Sequence, residues 1–400
     1  MNTKFCIAAL ATAALAVSSC SSDETVDVQR GAAIGFNVTA GKASRAEAST
    51  TANLSAFKLY AKSSNNSAWF MNGLEVRKSG STWDFADGGK RYWPAGATVD
   101  FLAYAPTGVA VNASTPGQLS IDNYVIDPKA DVDLLYAYNK GYDRNSKGGE
   151  VDINFRHALA MLEFNVANTN PDLEIEIVEL TLSGLNNTST LSWATASTNH
   201  PDYSSAVGGS NDTERDNSWG KWASPTVTQT DNYSGDIGNF YLRATTSVSG
   251  EPTMAKTTMS GATGVTALVA NKDLKNAFFV MPQTVKPWDK VGINNREPNH
   301  AEGSMIMILC KIKEKNAGFE LWPMYNDGAT QNGYQYVAVP FTGGADGKLK
   351  QGKRYVYTLT FGDGAGYNPW SGVPILGKVG LDVTVQEYAI GTDSTTEILP

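Results

Sequence analysis

The sequence predicts an all-β protein built from sandwiches, and three observations carry that expectation. Charged residues make up 18% of the 400-residue chain, below the roughly 25% of an ordinary soluble domain. Much of the difference goes to Gly (38 residues), Ser, Thr and Asn, which build turns rather than helices. Short segments of alternating apolar and polar residues, bounded by Gly, Pro, Asn or Asp, recur along the whole chain. No helical pattern of about ten residues or more follows the N-terminal segment, and 43–52 is the one candidate for a short helix.

Composition also narrows the function. Aromatic residues at 10% and apolar residues at 42% are too many for a disordered chain. A net charge of −8 argues against binding driven by nucleic-acid phosphates. Three Cys and three His leave no zinc framework and no disulfide scaffold. At roughly 150 residues per domain the chain has room for more than one core.

The elements follow in order. Residues 1–19 carry Lys4 and then a short apolar run over 5–17. That run falls short of the roughly 20 residues needed to cross a bilayer, so it reads as a signal peptide. Val17-Ser18-Ser19-Cys20 resembles a bacterial lipobox, in which Cys20 takes the lipid; an ordinary signal peptide with an incidental Cys is the alternative. Ser21-Ser22-Asp23-Glu24 resembles the acidic tag of lipoproteins sent to the outer face of the outer membrane. Residues 21–33 are polar and linker-like. Ile34, Phe36 and Val38 then alternate with polar neighbours as a strand does.

Further strands are expected at 54–61, 99–106, 133–138 and 151–155. Residues 158–182 read as a hairpin, with Leu159, Met161, Phe164 and Val166 on one arm and Leu173, Ile175, Ile177 and Leu180 on the other. Residues 186–235 are the least regular stretch and hold Trp193, Trp219 and Trp222. Strands resume at 240–242, 278–281, 305–312, 336–339, 355–361 and 379–385. A boundary near 155 divides the chain into 46–155 and 156–400.

The motifs of metalloproteases, redox dithiols, nucleophile elbows and phosphate loops are missing from the sequence, so no enzyme, metal or cofactor is expected. His157 reads as a hydrogen-bonded structural residue. Asp131 and Asp133, and Asp212 and Asp216, are carboxylate pairs in principle, with solvated loop positions as the simpler reading. Cys310, in an apolar strand, reads as a small core residue. Trp193, Trp219 and Trp222 offer a platform for stacking glycan, although core packing and loop anchoring are the commoner use of a single Trp.

Several strings together resemble the fimbrillin-like lipoproteins, subunits of type V pili of Gram-negative anaerobes. They are the lipobox at Cys20, Ile34-x-Phe36 followed by Ser44-Arg45-Ala46, and Leu54-x-x-Phe57-x-Leu59-Tyr60. Next come Tyr92-Trp93-Pro94, the run Asp100–Pro106, Asp133–Ala137 and Phe155-x-His157-Ala158-Leu159. Met281-Pro282-Gln283 and Gly352-Lys353-x-Tyr355-x-Tyr357-x-Leu359 complete the set. The resemblance implies two transthyretin-like β-sandwich domains in tandem after the signal peptide. It implies cleavage between Arg45 and Ala46, loss of a strand carrying Ile34, Phe36 and Val38 from the 20–45 segment, and replacement of that strand by a neighbour's. The donor would be the C-terminal segment, where Val379, Leu381, Val383 and Val385 share one face. Implied partners are other fimbrial subunits, the outer membrane through Cys20, and a surface receptor or glycan. The implied location is the outer membrane and then the fimbrium. The short, polar end after Val385 counts against a shaft-forming role; a tip or accessory subunit fits nearly as well, and a non-polymerising surface lipoprotein that binds glycan or host ligand is the alternative.

Overall fold

The computed structural model describes residues 33–40, 53–126, 132–145, 149–193, 220–225, 240–243, 256–268, 277–292, 303–324, 333–362, 364–376, 380–387 and 397–398. Every regular element among them is a β-strand. The candidate helix at 43–52 lies outside the described residues.

The first half contains β1 (Gly35–Thr39), β2 (Ala56–Ser63), β3 (Met71–Ser79), β4 (Thr82–Phe85), β5 (Val99–Ala105), β6 (Ser120–Val125), β7 (Leu135–Tyr142), β8 (Glu150–Asn154) and β9 (Arg156–His157). One antiparallel sheet runs in the order β4-β3-β2-β5-β7-β9. Gly80, at φ 61°, allows the tight β3–β4 connection. β1 pairs with β8 in parallel, as a separate two-stranded sheet. The six-stranded sheet is buried on both faces. Phe57, Leu59, Ala61, Phe101, Ala103, Leu135 and Ala137 join a cluster with β1 and β8. The alternate residues Tyr60, Leu102, Tyr104, Tyr136 and Tyr138 join a second, larger cluster. Strand geometry requires this division, because successive side chains point to opposite faces.

The second half contains β10 (Ala160–Asn168), β11 (Leu173–Ser183), β12 (Thr188–Trp193), β13 (Gly220–Trp222), β14 (Phe240–Arg243), β15 (Thr257–Ser260), β16 (Thr263–Ala267), β17 (Ala277–Val280) and β18 (Gln283–Thr284). It continues with β19 (Met305–Glu314), β20 (Glu320–Trp322), β21 (Gln335–Pro340), β22 (Lys348–Leu349), β23 (Lys353–Phe361), β24 (Gly380–Glu387) and β25 (Glu397–Ile398). One sheet has the order β16-β10-β23-β24-β25, with β17 also on β10. The other has the order β14-β11-β19-β20, with β15 also on β11 and β21 also on β19. Phe164, Val166, Tyr357 and Leu359 from the first meet Ile175, Ile177, Ile308, Cys310 and Ile312 from the second in a common core. Each large apolar side chain so buried contributes roughly 1.5–3 kcal/mol. A small sheet, β13-β12-β6, joins strands from both sides of residue 155.

Two expectations need correction. The arms read as a hairpin over 158–182 do not pair with each other: β10 bonds β23, β16 and β17, while β11 bonds β19, β14 and β15. The turn at 169–172 therefore carries the chain from one sheet to the other. Asn168 holds this corner by donating its amide to the carbonyls of Asn170, Leu173 and Gly261 at 3.0, 3.3 and 2.8 Å. Alternation marks a half-buried strand but is the same for a hairpin and an arch. The second correction is Asp133, which is buried rather than solvated. Its carboxylate lies 2.9 Å from His157 Nδ1, also buried, so each satisfies the other where solvent is excluded.

Candidate functional site

The candidate site is the groove filled by β1. Ile34, Phe36, Val38 and Ala40 are 6%, 8%, 4% and 2% exposed. These are alternate residues and so share one face. Phe36 stands edge-on to Phe57 and Phe85, with ring centroids 6.2 and 5.3 Å away. Phe57 in turn meets Trp83 and Phe155 at 5.4 and 5.3 Å. The floor is therefore aromatic and belongs to the six-stranded sheet.

Among the described strands, the backbone of β1 forms a ladder with one partner. Its ladder with β8 runs from Gly35↔Glu150 to Thr39↔Asn154. At its start, the Ile34 N–H donates to the Arg91 carbonyl at 2.8 Å, and Ala33 forms an isolated bridge with Tyr92. β1 also runs beside β4 without a described strand pairing to it. On the outer face, the Asn37 amide donates to the Asp152 carboxylate at 3.1 Å. The Arg91 guanidinium lies 5.1 Å from the centre of the Phe85 ring and pairs with Asp87 at 2.5 Å. The Gly89 N–H and Arg91 hold the Asp87 carboxyl below its usual range.

Several groove residues escape a reading based on Ile34, Phe36 and Val38. Ala40 extends the same period, and Trp83-x-Phe85 shows the alternation of a strand facing it. Asn139 carries no sequence signal. It is fully buried and donates its side-chain amide to the Asp152 carbonyl, tying β8 to β7.

The other expected site residues fall elsewhere. Cys20, Arg45, Ala46, Trp219 and Val379 lie outside the described residues. Val383 is buried, with Leu381 and Val385 packed against the core. β24, which carries them, is paired with β23 from Lys353↔Glu387 to Thr360↔Gly380, so it is seated in its own sheet. The ring of Trp193 is 3% exposed and donates its indole N–H to the Ala137 carbonyl at 3.1 Å; the core takes up the face a sugar would need. Trp222 donates to the Ala158 carbonyl at 2.6 Å. Cys310 is fully buried, and burial pushes its thiol pKa up.

A fimbrillin-like family profile matches residues 42–386, beginning just after β1. The chain belongs to the fimbrillin-like family. No curated protein sequence matches it. This fimbrillin-like chain is similar to a crystallised fimbrial protein from Bacteroides vulgatus ATCC 8482, with 14% identity, 89% of this chain and 99% of the other covered, and a TM-score of 0.48. It is also similar to a fimbrilin (fimA) from Porphyromonas gingivalis W83, at 12% identity, coverage of 90% and 98%, and a TM-score of 0.43. A third similarity is to the tip fimbrial protein Mfa3 from Porphyromonas gingivalis, with C-terminal truncation, at 9% identity, coverage of 89% and 99%, and a TM-score of 0.38.

Proposed function

We propose that this chain is a structural and adhesive subunit of cell-surface fimbriae, delivered to the outer membrane as a precursor lipidated on Cys20 and assembled by strand exchange. In this reading a trypsin-like protease cuts between Arg45 and Ala46, β1 leaves, and a neighbouring subunit's strand takes its place. The observation that carries the reading is the construction of β1. It inserts four alternate side chains into an aromatic groove, yet its ladder is with one short strand. Arg45 follows in the segment that leads from Ala40 to β2.

Departure of β1 would leave the edge of β8 unpaired and its apolar pockets open at alternate positions. Those are the requirements for β-augmentation. The incoming strand is drawn from the C-terminal segment that carries Val379, Leu381, Val383 and Val385. Since β24 is seated on β23, donation by this strand requires its detachment. β25 covers its other edge at Thr384 and Val385. Backbone and apolar surface do the work, and no reactive side chain is asked for. A tip or accessory position suits a subunit whose candidate donor strand is so seated.

The experiment is digestion of the folded precursor with an Arg-specific protease. A cut after Arg45, abolished in Arg45→Ala, and a ladder of SDS-resistant multimers are expected. If the folded precursor yields neither, strand exchange is wrong for this chain. Antibody labelling of fimbriae in the electron microscope separates tip from shaft. Label lying flat on the membrane would favour the non-polymerising lipoprotein.

A further inference from the structure

The six-stranded sheet behind the groove is covered on its other face by a segment from the second half of the chain. We propose that two stretches of this segment, 186–193 and 220–225, form a clasp that keeps the sheet folded while the groove is empty. The part that concerns an empty groove rests on the release of β1 proposed above; the clasp itself does not.

The clasp closes by strand pairing. β12 lies antiparallel to β6, from Thr188↔Val125 to Ser192↔Ser120, and β13 extends the same sheet. Hydrogen bonds lock both ends. The Ile126 N–H donates to Asn187 at 2.8 Å, and the Trp193 N–H donates to Leu119 at 3.0 Å. At its base, Asn186 is bound on both its N–H and its carbonyl by the Gln283 side chain, each at 2.9 Å, which ties the clasp to the second half.

Its wedge is Trp193. The indole stands edge-on between Tyr104 and Tyr136, at 6.4 and 5.9 Å. Leu191 beside it is fully buried. Gly220 passes so close to Tyr136 that a Cβ there would sit 2.8 Å from the ring. The clasp also reaches the groove's remaining wall. Trp193 bonds the carbonyl of Ala137 in β7. Two residues on, Asn139 of β7 holds the Asp152 carbonyl of β8.

Loss of β1 would expose apolar surface on one face of the sheet. An antiparallel sheet tolerates one solvated face when the other is packed. Here the packed face is the one under β12 and β13. A sheet stripped of both covers has no such support, and its open edges then favour uncontrolled pairing.

The test is hydrogen exchange read by mass spectrometry on the full-length precursor, with β10 and β23 as internal controls. Phe36→Ala loosens β1 without any cleavage, and Leu191→Ala weakens the clasp. With the clasp intact, Phe36→Ala leaves β5 and β7 protected. In the double variant their protection falls by about 100-fold, while β10 and β23 keep theirs. Equal losses in β5 and β7 with and without Leu191→Ala would overturn the proposal, as would a joint collapse of both halves. If Leu191→Ala fails to fold, Trp193→Phe removes the indole N–H and part of the buried ring while keeping an aromatic side chain, and should give a smaller loss confined to the same strands. An Arg-cut wild-type arm examines release separately. If β1 stays bound after the cut, release is wrong, and the Phe36→Ala arm still decides the clasp.

Discussion

Two parallel strand pairs, β1–β8 in the first half and β10–β23 in the second, are built differently. β10 and β23 are in register from Met161↔Arg354 to Asn168↔Phe361. Both are flanked by further strands, and the Arg354 guanidinium holds the Glu163 carboxylate through two bonds, at 2.9 and 2.6 Å. β1 and β8 share a shorter ladder, β1 has no described strand pairing on its other side, and one amide–carboxylate bond links their side chains. What the pairs share is apolar insertion on the core face. β10 is therefore held by backbone on both edges and by charge as well as by its buried side chains, whereas β1 depends mainly on its buried side chains and one ladder.

The largest effects should come from that shared insertion. Phe164→Ala and Phe36→Ala each remove a buried ring, at a cost of about 3–5 kcal/mol. The consequences should differ in extent. Phe164 is stacked on Tyr357 at 5.4 Å in the central core, so its loss should lower the denaturant midpoint of the whole second half. Loss of Phe36 should free β1 and leave β10 and β23 protected. Equal spread in the two variants would remove the distinction.

The side-chain ties should rank next. Arg354→Ala leaves Glu163, a partly buried carboxylate, without its two charged donors, at a cost of about 1.5–3 kcal/mol. Asn37→Ala breaks a bond at the surface and should cost about 0.5 kcal/mol. Urea denaturation of both variants checks the order. A larger loss for Asn37→Ala would mean that β1 is held by its outer face after all.

How far these features could be read in advance depended on whether they were local. β1, β8 and β23 announce themselves by period-two alternation, and Ile34, Phe36 and Val38 do face one groove. The partners of a strand are not local. The same alternation fits a hairpin or an arch, so β10 and β11 were legible as strands but not as members of opposite sheets. β12 and β13 are short and set in polar sequence, and β12 pairs with β6 about 70 residues away in sequence (Leu191↔Ile121). Trp193 could be read as a core residue or as a stacking platform, and its sequence neighbours did not decide, because its burial depends on Tyr104 and Tyr136. Asp133 likewise gave no sign that it would meet His157.

The two faces of the six-stranded sheet should also separate by pH. The groove face is lined by Phe and Trp, whereas the clasp side carries tyrosines. Burial pushes the hydroxyls of Tyr104 and Tyr124 up to about 12, aided at Tyr124 by the charge of Asp133, and raises those of Tyr60 and Tyr138. The unfolded chain releases these protons near pH 10. The stabilisation is therefore present below about pH 10 and is lost as pH climbs toward about 12. Tyr104→Phe with Tyr124→Phe should flatten this decline in a denaturant series, and Phe36→Ala should not. A slope unchanged in the tyrosine variant would place the alkaline sensitivity elsewhere.

The smallest expected effect is the most selective. Cys310 lies in β19, in the core of the second half. Its thiol is fully buried and its pKa raised, so a thiol reagent can reach a reactive thiolate there only when that half opens. Alkylation of Cys310, followed by peptide mass after quenching, is therefore a clock for opening of the core that β19 shares with β10 and β23. The rate should be the same in the wild type, in Phe36→Ala and after an Arg-specific cut. A rate that rises when β1 is loosened would show that the halves open together, and the contrast between a strand held by one ladder and a sheet paired on both sides would not hold.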